Sequence, residues 1–274
     1  MKKFFMMFRN PVVSMVAAIA AIGLLAFSGI GGVRAALRAS EEYTSQISME
    51  HIGITLLENG APVASRNYNS ETKDGSWTGS ASGTLLANML KAKPEDTQEQ
   101  KLIFEKRYPE ALAVQNSGAV NSYIRISIYR YWLDENGSKQ NATKLDPGLI
   151  HLYLGEGENE KDLDDAAQTN YNGWIKDTRA GTTTRERTVL YYSGLVNAGA
   201  VTAPVVDHIA IDNSIATMVS AKQTGTTITT TYDYEGKQFC LEVTADAIQE
   251  HNAADAMKSA WGVDPAQLGL SVNE

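Results

Sequence analysis

Apolar and polar positions alternate along many short stretches of this chain. Between Asn121 and Trp132, Ile124, Ile126 and Ile128 share one side. Arg125 and Ser127 fall on the other, with Tyr123, Tyr129 and Tyr131 forming an aromatic ladder beside the arginine. A period of two over this length predicts a half-buried strand. Asn116-Ser117-Gly118 before it and Glu135-Asn136-Gly137 after it are turn chemistry. A second alternation runs over Lys237–Ala247, where Phe239, Leu241, Val243 and Ala245 oppose Cys240, Glu242, Thr244 and Asp246. Thr226–Tyr234 is expected to pair with it as a hairpin through Glu235-Gly236. Further strands are predicted over His51–Leu57, Glu110–Gln115, Leu149–Leu154, Arg187–Tyr192 and Pro204–Ile211. Many short strands without a βαβ rhythm imply a mainly β fold, an antiparallel sandwich of jelly-roll type.

Few segments have a helical period. Thr84–Ala92 predicts a short apolar helix and Pro94–Glu105 a charged one at the surface. A final helix is expected to start from an Asn252 cap. Its apolar face is Ala253, Ala256, Met257, Ala260 and Trp261, and it stops at Gly262. Residues 265–274 read as a flexible tail, and the Ser/Thr/Gly-rich stretch Asn67–Ser82 as an exposed loop.

The beginning of the chain has a different pattern. Lys2, Lys3 and Arg9 precede a run without charge from Asn10 to Val33 that contains VVSMVAAIAAIGLLAF. Val33-Arg34-Ala35 then fits a small-x-small cleavage site, so residues 1–35 read as a signal peptide cut between Ala35 and Ala36. An uncleaved anchor is the alternative, since about 20 apolar residues span a bilayer. Ser28, Gly29, Gly31 and Gly32 dilute the far end of the run and favour cleavage. The secreted domain would then be 36–264, membrane contact would come only through an uncleaved signal, and a signal peptidase is the partner during export.

Composition narrows the function. The 274 residues carry 24 basic and 32 acidic side chains, a formal charge of −8, and cleavage would remove four basic residues and no acid. An acidic chain of this kind lacks the basic face that nucleic acid requires. A single cysteine rules out a disulfide framework and every multi-cysteine zinc module.

The chain resembles the TasA/camelysin family of secreted Gram-positive biofilm-matrix and surface proteins, which carry specialised signal peptides. The likeness rests on HIGITLLENG (51–60), ALAVQNSGAVNSYIRISIY (111–129), Gly173-Trp174, TVLYYSGLVNAGAVTAPVVDHIAI (188–211) and EVTADAIQEHNAADAMKSAWG (242–262). None of these motifs is catalytic. The resemblance implies a jelly-roll sandwich that assembles into extracellular fibres when the segment freed by signal cleavage adds as a strand to the next subunit. Here that segment is 36–49. Apolar parity switches between Met49 and Ile52, which predicts a bulge or hinge. Tyr191-Tyr192 belongs to a strand, and Trp261 is expected to plug one end of the sandwich.

Candidate chemistry is sparse. A camelysin-like zinc protease would need two histidines a helical turn apart with a glutamate base, but His51, His151, His208 and His251 lie in separate elements. No Gly-x-Ser-x-Gly elbow is present, and nothing marks one acid pair for catalysis. Cys240 has no cation closer in sequence than Lys237 and reads as a bland thiol. The loop 156–165 concentrates Glu156, Glu158, Glu160, Asp162, Asp164 and Asp165 against Lys161 alone, a candidate calcium loop whose spacing is not that of an EF-hand. Asn136-Gly-Ser and Asn141-Ala-Thr match a glycosylation sequon and read as turns. The expected function is non-enzymatic: a structural surface or matrix protein that self-associates or binds other matrix proteins. A monomeric cell-wall binding module is the alternative, with the metalloprotease behind it.

Overall fold

The computed structural model describes residues 51–68, 77–78, 85–86, 88–93, 95–155, 157–165, 169–224 and 227–272. The signal peptide, its Ala35/Ala36 cleavage site and the segment 36–49 lie outside these residues. The fold is mainly β. Fourteen strands are described: β1 (Ile52–Glu58), β2 (Ala61–Tyr68), β3 (Trp77–Thr78), β4 (Tyr108–Asn116), β5 (Ser122–Leu133), β6 (Ile150–Leu154), β7 (Lys161–Asp162), β8 (Asn170–Tyr171), β9 (Trp174–Lys176), β10 (Arg187–Tyr192), β11 (Val206–Ile211), β12 (Val219–Thr224), β13 (Thr227–Tyr232) and β14 (Gln238–Gln249).

Seven of them form one sheet in the order β3-β2-β1-β4-β11-β6-β7, and five form a second in the order β14-β5-β10-β9-β8. Every pairing is antiparallel. The two sheets contribute to one core in a sandwich-like arrangement. Ile54, Leu56, Leu112 and Val114 come from the first, and Ile124, Ile126, Ile128, Val243 and Ala245 from the second. The isoleucines of β5 are fully buried, as their alternation predicts. Pleating places the next residues on the opposite face, so Tyr123, Val189, Tyr191 and Ile248 form a second apolar layer outside the five-stranded sheet.

The closing segment covers that layer. Helix α1 (Ala253–Ala256) continues into a π-turn, Met257–Trp261, which ends at left-handed Gly262 as expected. Asn252 also takes a left-handed conformation and makes no side-chain cap, contrary to the expected N-cap. Trp261 lies against Tyr191, ring centroids 5.6 Å apart, with Arg125 over its face. It therefore covers a sheet face and does not plug the sandwich end. The chain beyond Asp264 is not loose as far as Val272, because Asp264 caps a 3₁₀ turn and Leu270 is buried in the same layer.

Three other expectations fail. Thr84–Ala92 is not a helix in its described part. Leu86 takes φ +68° and gives its N–H to Glu58 Oε1 at 2.6 Å. The described residues of Pro94–Glu105 are irregular. Gln100 N–H is given to Leu90 O, and Ile103 N–H to the Tyr108 hydroxyl. Tertiary partners take the backbone groups that a helix would have paired. The hairpin between Thr226–Tyr234 and Lys237–Ala247 does not form either. β13 pairs back onto β12, while β14 runs along all of β5. Tyr234 causes the split. It packs edge-on against Trp132 at 4.9 Å and accepts the Asp146 N–H, so the chain turns there. Beyond it, the apolar stripe of β14 enters the core. TITTTY in β13 offers only Ile228 and Tyr232, which remain exposed.

Candidate functional site

The two sheets expose four edge strands among the described residues. β3, β7 and β8 are two residues long, whereas β14 has twelve. Short edges are one way folds avoid unwanted strand addition. β14 lacks this protection. Its register with β5 is unbroken, and Glu250 N–H is given to Asn121 O just beyond it. Hydrogen-bonded pairs alternate along an antiparallel ladder. The even-numbered residues therefore bond β5, and Phe239, Leu241, Val243, Ala245 and Ala247 turn their backbone groups to the free edge.

Side chains mark the two ends of this edge. Near its far end, Arg66 and Tyr68 of β2 reach Asp246, which also holds Arg125 of β5 at 2.6 Å. Burial, then the Asp246 charge, pushes the Tyr68 hydroxyl up to about 12. Its near end borders a cavity of about 540 Å³ lined by Leu85, Leu86, Met89, Tyr131, Phe239 and Cys240 among others. There the Tyr131 hydroxyl donates to Glu242 at 3.2 Å. A hydrogen bond with Cys240, then burial, raises its pKa.

The described acids of the loop 156–165 are engaged largely by protein groups. Glu156 lies outside the described residues, and Glu158 sits on an exposed 3₁₀ turn. Three of the other acids bind separate cations. Glu160 takes Arg107 in two bonds of 2.8 and 2.9 Å, Asp162 takes His151, and Asp164 takes Arg130. Lys176, itself buried, donates to the carbonyls of Leu163 and Asp165, and the Tyr171 hydroxyl bonds that of Asp162. Burial holds the Lys176 pKa below its ordinary value. Among the described residues, no group of three or more His, Cys, Asp and Glu side chains is placed to hold a metal ion. Asn136 and Asn141 both occupy turns next to Asp134 and Thr143.

His151 sits between two carboxylates. Its Nδ1 lies 3.0 Å from Asp162 and its Nε2 3.2 Å from Asp212. The Asp162 bond, opposed by burial and helped by Asp212, raises its pKa. Asp162 and Asp212 are both lowered from 3.8: Asp162 by His151 against its burial, and Asp212 first by Ser214. A raised base stabilises the fold fully below its unfolded pKa, here 6.5, and ceases to as pH rises through the folded value. Lowered acids stabilise above 3.8 and cease to as pH falls through their folded values. His151→Gln is therefore expected to cost about 1–2 kcal/mol near pH 5.5 and much less near pH 9. Urea midpoints at the two pH values test this, and an equal loss at both would contradict an imidazolium clamp.

One carboxyl is buried in the apolar row of β4, beside the half-buried Glu58. Glu110 is 1% exposed on the inward side of β4, and its Oε1 has no hydrogen-bond partner among the described residues. Burial, then the neighbouring Glu58 carboxylate, pushes its pKa up to about 9. Its position was a readable signal, because Glu110 shares parity with Leu112 and Val114. No protein-family model matches this chain, and neither does any curated protein or solved structure.

Proposed function

We propose that this chain is a secreted, non-enzymatic matrix or surface protein of the TasA/camelysin kind, a jelly-roll-like sandwich that assembles by strand addition along β14. The observation that supports this most directly is the twelve-residue β14 edge, where the other edges of the two main sheets are two residues long among the described residues. Each backbone hydrogen bond an incoming strand makes would contribute about 0.5–1.5 kcal/mol. Several together give a specific contact without any reactive side chain. The donor is the segment 36–49 of another copy, freed by cleavage after Ala35. Such a contact is head-to-tail, so it propagates as a fibre.

Deleting 36–49 from the exported protein is expected to leave a folded monomer that forms no filaments. Electron microscopy of wild type and deletion side by side tests this, and unchanged filaments from the deletion would remove strand donation as the mechanism.

A further inference from the structure

The β12–β13 hairpin belongs to neither main sheet. It forms its own two-stranded sheet, and every side chain described in it is exposed. Such a hairpin is only marginally stable in water unless another strand or an apolar cover completes it. Its apolar residues lie together. The register pairs Val219 with Tyr232 and Gln223 with Ile228, so all four share one face. Val219, Tyr232 and Ile228 are 47%, 56% and 65% exposed, and they are three of the five large apolar side chains exposed among the described residues.

The backbone shows what this surface can accept. Asp233 N–H is given to Met218 O at 3.0 Å, which places the hydrogen-bonded pairs of the hairpin at 218/233, 220/231 and 222/229. Ile228, Thr230 and Tyr232 therefore direct their N–H and C=O groups away from β12. The complement of this edge is a strand of matching polarity. Charge indicates which one. Lys222 is the sole charged residue from Val219 to Tyr232, in a chain of net charge −8, so the hairpin is a nearly neutral surface where two like-charged copies can meet.

We infer that β13 pairs antiparallel with β13 of a second copy about a two-fold axis through Thr230. This register opposes Ile228 to Tyr232 of the other copy on both sides of the axis, an aromatic–β-branched pair of the kind that stabilises sheets. It also aligns all three outward backbone positions, giving two bonds at each of three pairs, about six in all. The contact is self-complementary and closed. It uses only the hairpin and does not depend on strand donation at β14. If both hold, it would join fibres sideways.

Disulfide trapping in the full chain, with Cys240→Ala as background, tests the register. Thr230→Cys places two sulfurs across the axis with Cα atoms about 5.5 Å apart, within disulfide reach. Thr229→Cys places them on a diagonal of about 7–8 Å, beyond it. Both positions are exposed, and circular dichroism confirms folding of each variant. Under a mild copper oxidant, Thr230→Cys is expected to give a covalent dimer in several-fold excess over Thr229→Cys. Adding Ile228→Lys is expected to abolish that excess, and deleting 36–49 to leave it intact. Equal yields from Thr230→Cys and Thr229→Cys, or an excess that survives Ile228→Lys, would overturn the inference.

Discussion

Glu110→Gln is expected to leave stability almost unchanged near pH 5 and to raise it near pH 8, a relative gain on the order of 3 kcal/mol. The Glu110 carboxyl is 1% exposed, faces Glu58, and titrates only at about 9. In the unfolded chain it titrates at 4.5. Between those values the folded state holds a proton that the unfolded state has released, so stability falls as pH rises. Each unit of that gap corresponds to about 1.4 kcal/mol. Glutamine keeps the shape and a donor toward Glu58 but has no proton to lose, so the penalty disappears. Glu58 remains an acceptor for Leu86 N–H. Guanidinium midpoints at the two pH values measure the gain. An equal change at both would mean that Glu110 is ionised in the folded state, and the argument would fail.

How much of this was legible in the sequence depends on the range of the forces involved. β5 was readable because apolar alternation is a local pattern, and the core took every predicted isoleucine of it; β10 was readable as a short apolar run, which is buried on both faces. Leu86 and Gln100 were not, because their backbone groups are claimed by Glu58 and Leu90, the first from 28 residues away. β12 was missed outright. VSAKQT alternates only over Val219 and Ala221, too briefly to mark a strand, and it pairs with β13 alone. The β14 edge illustrates both cases. Its alternation was plain, but a strand's own sequence does not show which side of it will be left unpaired. The acidic loop shows the same limit. Its local charge stood out in the sequence, but the groups that pair with Glu160, Asp162 and Asp164 are Arg107, His151 and Arg130, drawn from three other parts of the chain.

Asp164→Ala is expected to destabilise the fold by about 3–5 kcal/mol, more than Arg130→Met, although Asp164 is the more exposed partner. Arg130 is fully buried. Its guanidinium donates to both Asp164 oxygens and to Ile150 O at 2.7 Å, and its Nε has no partner among the described residues. Asp164, at 37% side-chain exposure, can be hydrated when the arginine is removed. Arg130 cannot be hydrated when the aspartate is removed, and an uncompensated buried charge is the costly outcome. The same reasoning predicts a sign change in the double mutant. Adding Arg130→Met to Asp164→Ala removes the stranded charge and fills its space with an apolar chain, so the pair is expected to be more stable than Asp164→Ala alone. Urea midpoints of the four proteins complete the cycle. If the losses simply add, Arg130 is not stranded as an uncompensated charge when Asp164 is removed, and the argument fails.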